Sequence, residues 1–160
     1  AIRYPKASSE EFDQNLQAEL LPIGSWEVLQ NGNDVAILAV GPLTYLALEA
    51  AEELKKLDIS CEVVNCRFIK PMDENYLEFM LEKFSSVLTI EEGVRSGGFG
   101  EGVLSWLSSN NYKGNSSIIS LPDKFVEHGP RDLLLEKWGI NKEQIIKTVT
   151  SFKSSLKTEF

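Results

Sequence analysis

Val35-Ala36-Ile37-Leu38-Ala39-Val40 is apolar at every position, so it cannot form a strand with one wet face. A continuous apolar run of this length fits a parallel strand covered by helices on both sides. Gly41-Pro42 follows and opens a helix, with Pro at a position where its missing N–H costs little; Leu43, Leu46, Ala47, Ala50 and Leu54 then recur at helical spacing. The pattern repeats. A strand is expected over Cys61 to Cys66, and then a helix capped by Asp73 with Leu77, Met80, Leu81 and Phe84 on one stripe. Ser86 to Ile90 reads as the next strand, Val103, Leu104 and Leu107 as a helix face, and Ser117 to Leu121 as another strand. Such alternation predicts an α/β fold: an open three-layer sandwich with a mainly parallel sheet of about five strands and helices on both faces.

The flanks are less regular. Trp26 to Gln30 reads as a strand, and the Asn31-Gly32-Asn33-Asp34 turn predicts a hairpin into Val35. Near the end, Leu133 to Trp138 forms a helix body after Pro130, with Gly139 as its C-cap. Asn141 with Gln144 makes a capping-box pattern for a last helix whose Ile145, Val149 and Phe152 share a face. Residues 7–20 are polar and acidic and read as a linker. One domain is expected over residues 21–153, with a fraying tail over 154–160.

A net charge of −8 repels nucleic acid and anionic lipid, and no basic stripe offsets it. No apolar run approaches the ~20 residues that cross a bilayer, and the start lacks a signal-peptide pattern. A cytoplasmic protein with a small-molecule or protein partner is expected. Cys61 and Cys66 are too far apart for a Cys-x-x-Cys motif, and His128 is the one histidine, so both thiols read as reduced and no structural metal site is expected. The chain begins at Ala1, which reads as a cut inside a longer polypeptide.

Ile90-Glu91-Glu92-Gly93-Val94-Arg95-Ser96-Gly97-Gly98-Phe99-Gly100 puts two carboxylates and four glycines at a strand-to-helix turn. Glycine permits close backbone approach, so another surface is expected near Gly97, Gly98, Phe99 and Gly100. The run does not match a dinucleotide fingerprint, because Val103 stands where Gly or Ala is needed, and no Walker-type Gly-Lys-Ser/Thr occurs. Glu91 and Glu92 are adjacent on a strand and point to opposite faces, which suits capping or interface roles over a shared-proton pair. His128 reads as a loop histidine. Arg3 and Lys6 flank Tyr4-Pro5, where a stiff extended segment can aim both cations at an anion.

Arg3-Tyr4-Pro5, Leu21-Pro22-Ile23-Gly24, Arg67-Phe68-Ile69-Lys70-Pro71-Met72-Asp73, the Ile90 to Gly100 run and Leu121-Pro122-Asp123-Lys124-Phe125-Val126-Glu127-His128-Gly129 stand in one order. Together they resemble the C-terminal domain of the 1-deoxy-D-xylulose-5-phosphate synthases, within the transketolase family. The resemblance implies a full-length homodimeric transferase that condenses pyruvate with D-glyceraldehyde 3-phosphate, releasing CO2, with thiamine diphosphate and Mg²⁺. It also implies that the cofactors sit on preceding domains, whose Gly-Asp-Gly…Asn motif and activating glutamate are not in these 160 residues, so this fragment carries no cofactor and is inactive alone. Residues 1–20 would be the end of the preceding pyrimidine-binding domain and a linker. The family usually reads Arg-Tyr-Pro-Arg-Gly there, with its second arginine on the substrate phosphate; Lys6 holds that position and keeps the charge without the planar fork. Arg3 matches the family position. Glu91, Glu92, Gly97, Gly98, Phe99 and Gly100 become candidates for a domain or dimer interface. Two alternatives stand beside this: the C-terminal domain of a 2-oxoacid dehydrogenase beta subunit that docks a partner, and a free-standing small-anion-binding module.

Overall fold

The computed structural model describes residue 1 and residues 19–156 of the chain. Arg3, Lys6, most of the expected linker and the last four residues lie outside the described residues. Five strands, β1 (Glu27–Gln30), β2 (Val35–Ala39), β3 (Cys61–Asn65), β4 (Ser86–Val94) and β5 (Asn115–Leu121), form one sheet in the order β1-β3-β2-β4-β5. Every pairing is parallel except β1 with β3. Helices α1 (Leu43–Lys55), α2 (Glu74–Lys83), α3 (Phe99–Ser109), α4 (Arg131–Lys137) and α5 (Lys142–Leu156) complete the fold. The last of these runs helical to Leu156, into the stretch expected to fray.

The expected cover on both sides is visible along β2, whose successive residues face opposite layers. Val35, Ile37 and Ala39 join a core cluster with Leu43, Ala50 and Leu54 of α1 and Ile145, Val149 and Phe152 of α5. Ala36 and Leu38 point the other way, to a cluster with Leu77 and Met80 of α2 and Phe99, Val103 and Leu107 of α3. With all five β2 residues buried, the sheet is a middle layer between two helical layers.

The predicted hairpin does not form. β3 lies between β1 and β2, and Asn33 N and Asp34 N both donate to Ser60 O, at 3.1 and 2.8 Å. Gly32 is needed for a different reason: a Cβ there would come within 2.1 Å of the Cys61 carbonyl carbon. Its φ is not positive, so the segment is not the turn that Asn-Gly usually makes. Local turn chemistry lost to the parallel pairing of β3 on β2.

Capping follows the sequence more closely. Asp73 accepts from Tyr76 N at 3.0 Å, and its other oxygen accepts from Trp26 N at 2.8 Å, tying the start of β1 to α2. Asn141 Oδ1 accepts from Gln144 N at 2.8 Å, while the Gln144 amide donates to Thr148 instead of back to the cap, so only half of the capping box is made. Gly139 takes the left-handed φ of +71° after α4.

Both cysteines are free and buried. Burial pushes the Cys61 thiol from its ordinary value near 9 up to about 12, with Asp34 adding to the rise, and pushes Cys66 up as well. Burial also raises the phenols of Tyr76, where Glu62 adds to the effect, and Tyr112, which reaches about 12. The fold keeps these protons after the unfolded chain has released them, so the stability they contribute is full below the unfolded thiol value and falls as pH rises toward the folded ones. Above the ordinary value of each, near 9 for the thiols and 10 for the phenols, each fully buried group tilts the balance toward unfolding by up to about 1.4 kcal/mol per pH unit, and half-buried Tyr112 by less. The urea midpoint is therefore expected to drop steeply between about pH 9 and pH 11. A flat profile over that interval would contradict the burial of the four groups.

Candidate functional site

β4 continues past Ile90, where the sequence suggested it would stop. Ile90 pairs with Ile119 and Val94 with Leu121, so the strand bulges across Glu91, Glu92 and Gly93 before turning into α3. The bulge sends the two carboxylates to different places. Glu91, 4% exposed, turns inward and accepts from Phe99 N at 2.9 Å and Gly100 N at 2.8 Å. It therefore caps α3 from the preceding strand, satisfying two N–H groups that a helix start leaves unpaired and placing negative charge at the positive end of the helix dipole. Glu92 leaves the core and receives the Arg131 guanidinium of α4 through both oxygens.

The glycines fit around that carboxylate. A Cβ on Gly98 would stand 2.2 Å from Val94 O and 2.7 and 2.8 Å from the two Glu91 oxygens. On Gly100 it would meet Thr89 Oγ1 at 2.5 Å and Ile118 at 2.8 Å. The close approach at these two positions comes from the chain's own strands. Phe99 is buried and stacks edge-on with Trp26, ring centroids 5.7 Å apart. Gly97, with φ +70°, is the exposed apex of the turn, its amide donating to Glu101 of α3. Of the six interface candidates, Glu91, Phe99 and Gly100 lie inside the domain; Gly97 and half-buried Glu92 and Gly98 border its surface.

The second motif, Leu121 to Gly129, runs from the last residue of β5 into the loop that leads to α4. Phe125 there is fully exposed, and so is His128 to a lesser degree. Lys124 sits 4.8 Å above the Trp138 ring, and Glu127 pairs with Lys137 at the surface.

One buried polar group went unremarked in the sequence. Glu62, the second residue of β3 and 1% exposed, accepts from Tyr76 Oη at 2.8 Å and from Lys83 Nζ at 2.5 Å. Lys83 also lies 4.7 Å from the Phe84 ring centroid. The signal was an acid inside the otherwise apolar run Cys61-Glu62-Val63-Val64, which demands a partner from whatever covers that face.

Three carboxylates thus have internal tasks: a helix cap at Glu91, an ion pair at Glu92, a buried network at Glu62. Among the described residues no group of three or more His, Cys, Asp and Glu could hold a metal ion. No helix among the described residues is long and apolar enough to cross a membrane.

Comparison with known proteins agrees with this architecture. The family model for the transketolase C-terminal domain matches residues 24–145. The chain is 41% identical to 1-deoxy-D-xylulose-5-phosphate synthases of Bacillus cereus (strain AH187) and Bacillus anthracis, over 93% of its own length and 24% of theirs. It therefore spans about a quarter of those relatives. A solved split-gene transketolase, an inactive beta4 tetramer, superposes with a TM-score of 0.77 at 33% identity, covering 89% of this chain and 46% of that one. Fold, motif order and relatives converge: the chain belongs to the transketolase family, as a C-terminal domain of that family.

Proposed function

We propose that this chain is the C-terminal domain of a thiamine-diphosphate-dependent transferase that joins pyruvate to D-glyceraldehyde 3-phosphate, releasing CO2 and forming 1-deoxy-D-xylulose 5-phosphate. The observation that carries the proposal is 41% identity to such synthases across 93% of the chain. Thiamine diphosphate and Mg²⁺ belong to preceding domains, consistent with carboxylates here that are already engaged. The domain's own task is architectural: it buttresses the preceding domains of the same polypeptide and helps hold a cytoplasmic homodimer. In this reading Glu92 and Gly97 border the contact, while Glu91, Gly98, Phe99 and Gly100 fix the shape of the turn that presents it. Arg3 and Lys6, ahead of the domain, are assigned to the aldehyde's phosphate, with Lys6 supplying charge in place of a guanidinium fork.

The test uses the chain together with its upstream coding sequence. Supplied with both substrates, thiamine diphosphate and Mg²⁺, that polypeptide is expected to release CO2 and form the five-carbon product. Failure to do so, with cofactor bound, would remove the assignment.

A further inference from the structure

Gly102 is a glycine inside a helix for which the described residues supply no structural reason. It lies inside α3, where glycine lowers helix stability relative to alanine; its φ is not positive, and a Cβ placed on it meets nothing among the described residues within 4 Å. Gly98 and Gly100, one turn away or less, are each forced by a clash, which Gly102 is not. The side of the helix that carries it opens on a groove of about 610 Å³ between the start of α3 and the loop Ile69-Lys70-Pro71-Met72. Half of Ile69 is exposed on the rim. Lys70 stands on that loop, with Glu74 and Glu101 also in the lining.

The groove borders the place where the chain enters the domain. Gly24 packs on Pro71, with its Cβ position 3.1 Å from the proline ring, and the residue before it, Ile23, is 82% exposed. Leu20 and Leu21 are exposed too. A polypeptide arriving at Ile23 therefore arrives beside the groove, and the relatives are about four times as long as this chain.

We infer that the groove is the seat of the polypeptide encoded upstream of these 160 residues, a segment whose backbone lies directly over Gly102 and whose aliphatic side chains meet Ile69, Pro71 and Met72. Hydrogen at position 102 lets that backbone come closer than any side chain would allow. This rests on the architectural role proposed above and adds the surface through which it acts.

The inference makes the sign of one substitution depend on context. In the 160-residue chain, which holds both core layers, Gly102→Ala is expected to raise Tm by about 2 °C, and Gly102→Leu to leave the fold intact. In the polypeptide carrying its upstream sequence, amides of residues 69–72 and 97–105 are expected to exchange hydrogen at least about tenfold more slowly than in the short chain, since docking suppresses local opening. Gly102→Leu should abolish that slowing. Equal exchange in the two forms, or slowing that survives Gly102→Leu, overturns the inference. So does slowing that appears in the short chain as its concentration rises, which would assign the groove to a second copy. Synthase activity of the longer polypeptide is measured separately: an inactive protein with a protected groove removes the function alone, and an active one with an unprotected groove removes this inference alone.

Discussion

Replacing Glu91 with alanine is expected to cost about 3 kcal/mol of stability, measured by urea unfolding of the 160-residue chain. The side chain is buried and makes two charge-assisted hydrogen bonds, at 2.9 and 2.8 Å, to amides that have no other acceptor at the start of α3. Removing it leaves both N–H groups unpaired away from water, and each such group costs about 1–3 kcal/mol. Glu91→Gln keeps one acceptor but turns an amide group toward the second N–H, so an intermediate loss of about 2 kcal/mol is expected. Its neighbour provides the control. Glu92 and Arg131 are each about one-third exposed, and solvent screening holds Glu92→Ala to within about 1 kcal/mol. Equal losses at the two positions would mean that Glu91 is not the cap.

The second large effect concerns Glu62. Lys83→Met removes the cation that faces a 1%-exposed carboxylate, leaving it with Tyr76 alone, and a loss of about 3 kcal/mol is expected. The value sits at the lower end of what breaking a buried pair costs, because Lys83 keeps a quarter of its surface in water. Converting the whole network, Glu62→Leu with Lys83→Met and Tyr76→Phe, is expected to return most of that stability, since no polar group is then buried without a partner. A triple variant as weak as Lys83→Met alone would show that the network, rather than the stranded charge, carries the energy.

What could be read in advance follows from the range of each interaction. The apolar run at Val35 to Val40 announced a central strand because burial on both faces leaves a mark on every residue. Asp73 announced a cap because its partner is three residues away. The Asn-Gly hairpin failed because β3, which arrives thirty residues later, takes the position beside β2, and nothing in the turn records that. The cluster of four glycines did not name its neighbours: Gly98 and Gly100 make room for the domain's own carbonyl, carboxylate and side chains. A sequence states that space is needed without stating who fills it. For the same reason Gly98, the obvious place to disturb an interface, is a poor probe, since any side chain there collides with Val94 O before reaching a partner. Gly102 could be distinguished from it only once the empty space beside it was known.

The most direct measurement is made on the 160-residue chain itself, confirmed as folded by its cooperative urea transition. Given pyruvate, D-glyceraldehyde 3-phosphate, thiamine diphosphate and Mg²⁺, it is expected to release no CO2 above the protein-free control, because its buried acids cap a helix and balance a lysine instead of facing a coenzyme. Catalytic release of CO2 by this chain alone would contradict the account at its centre.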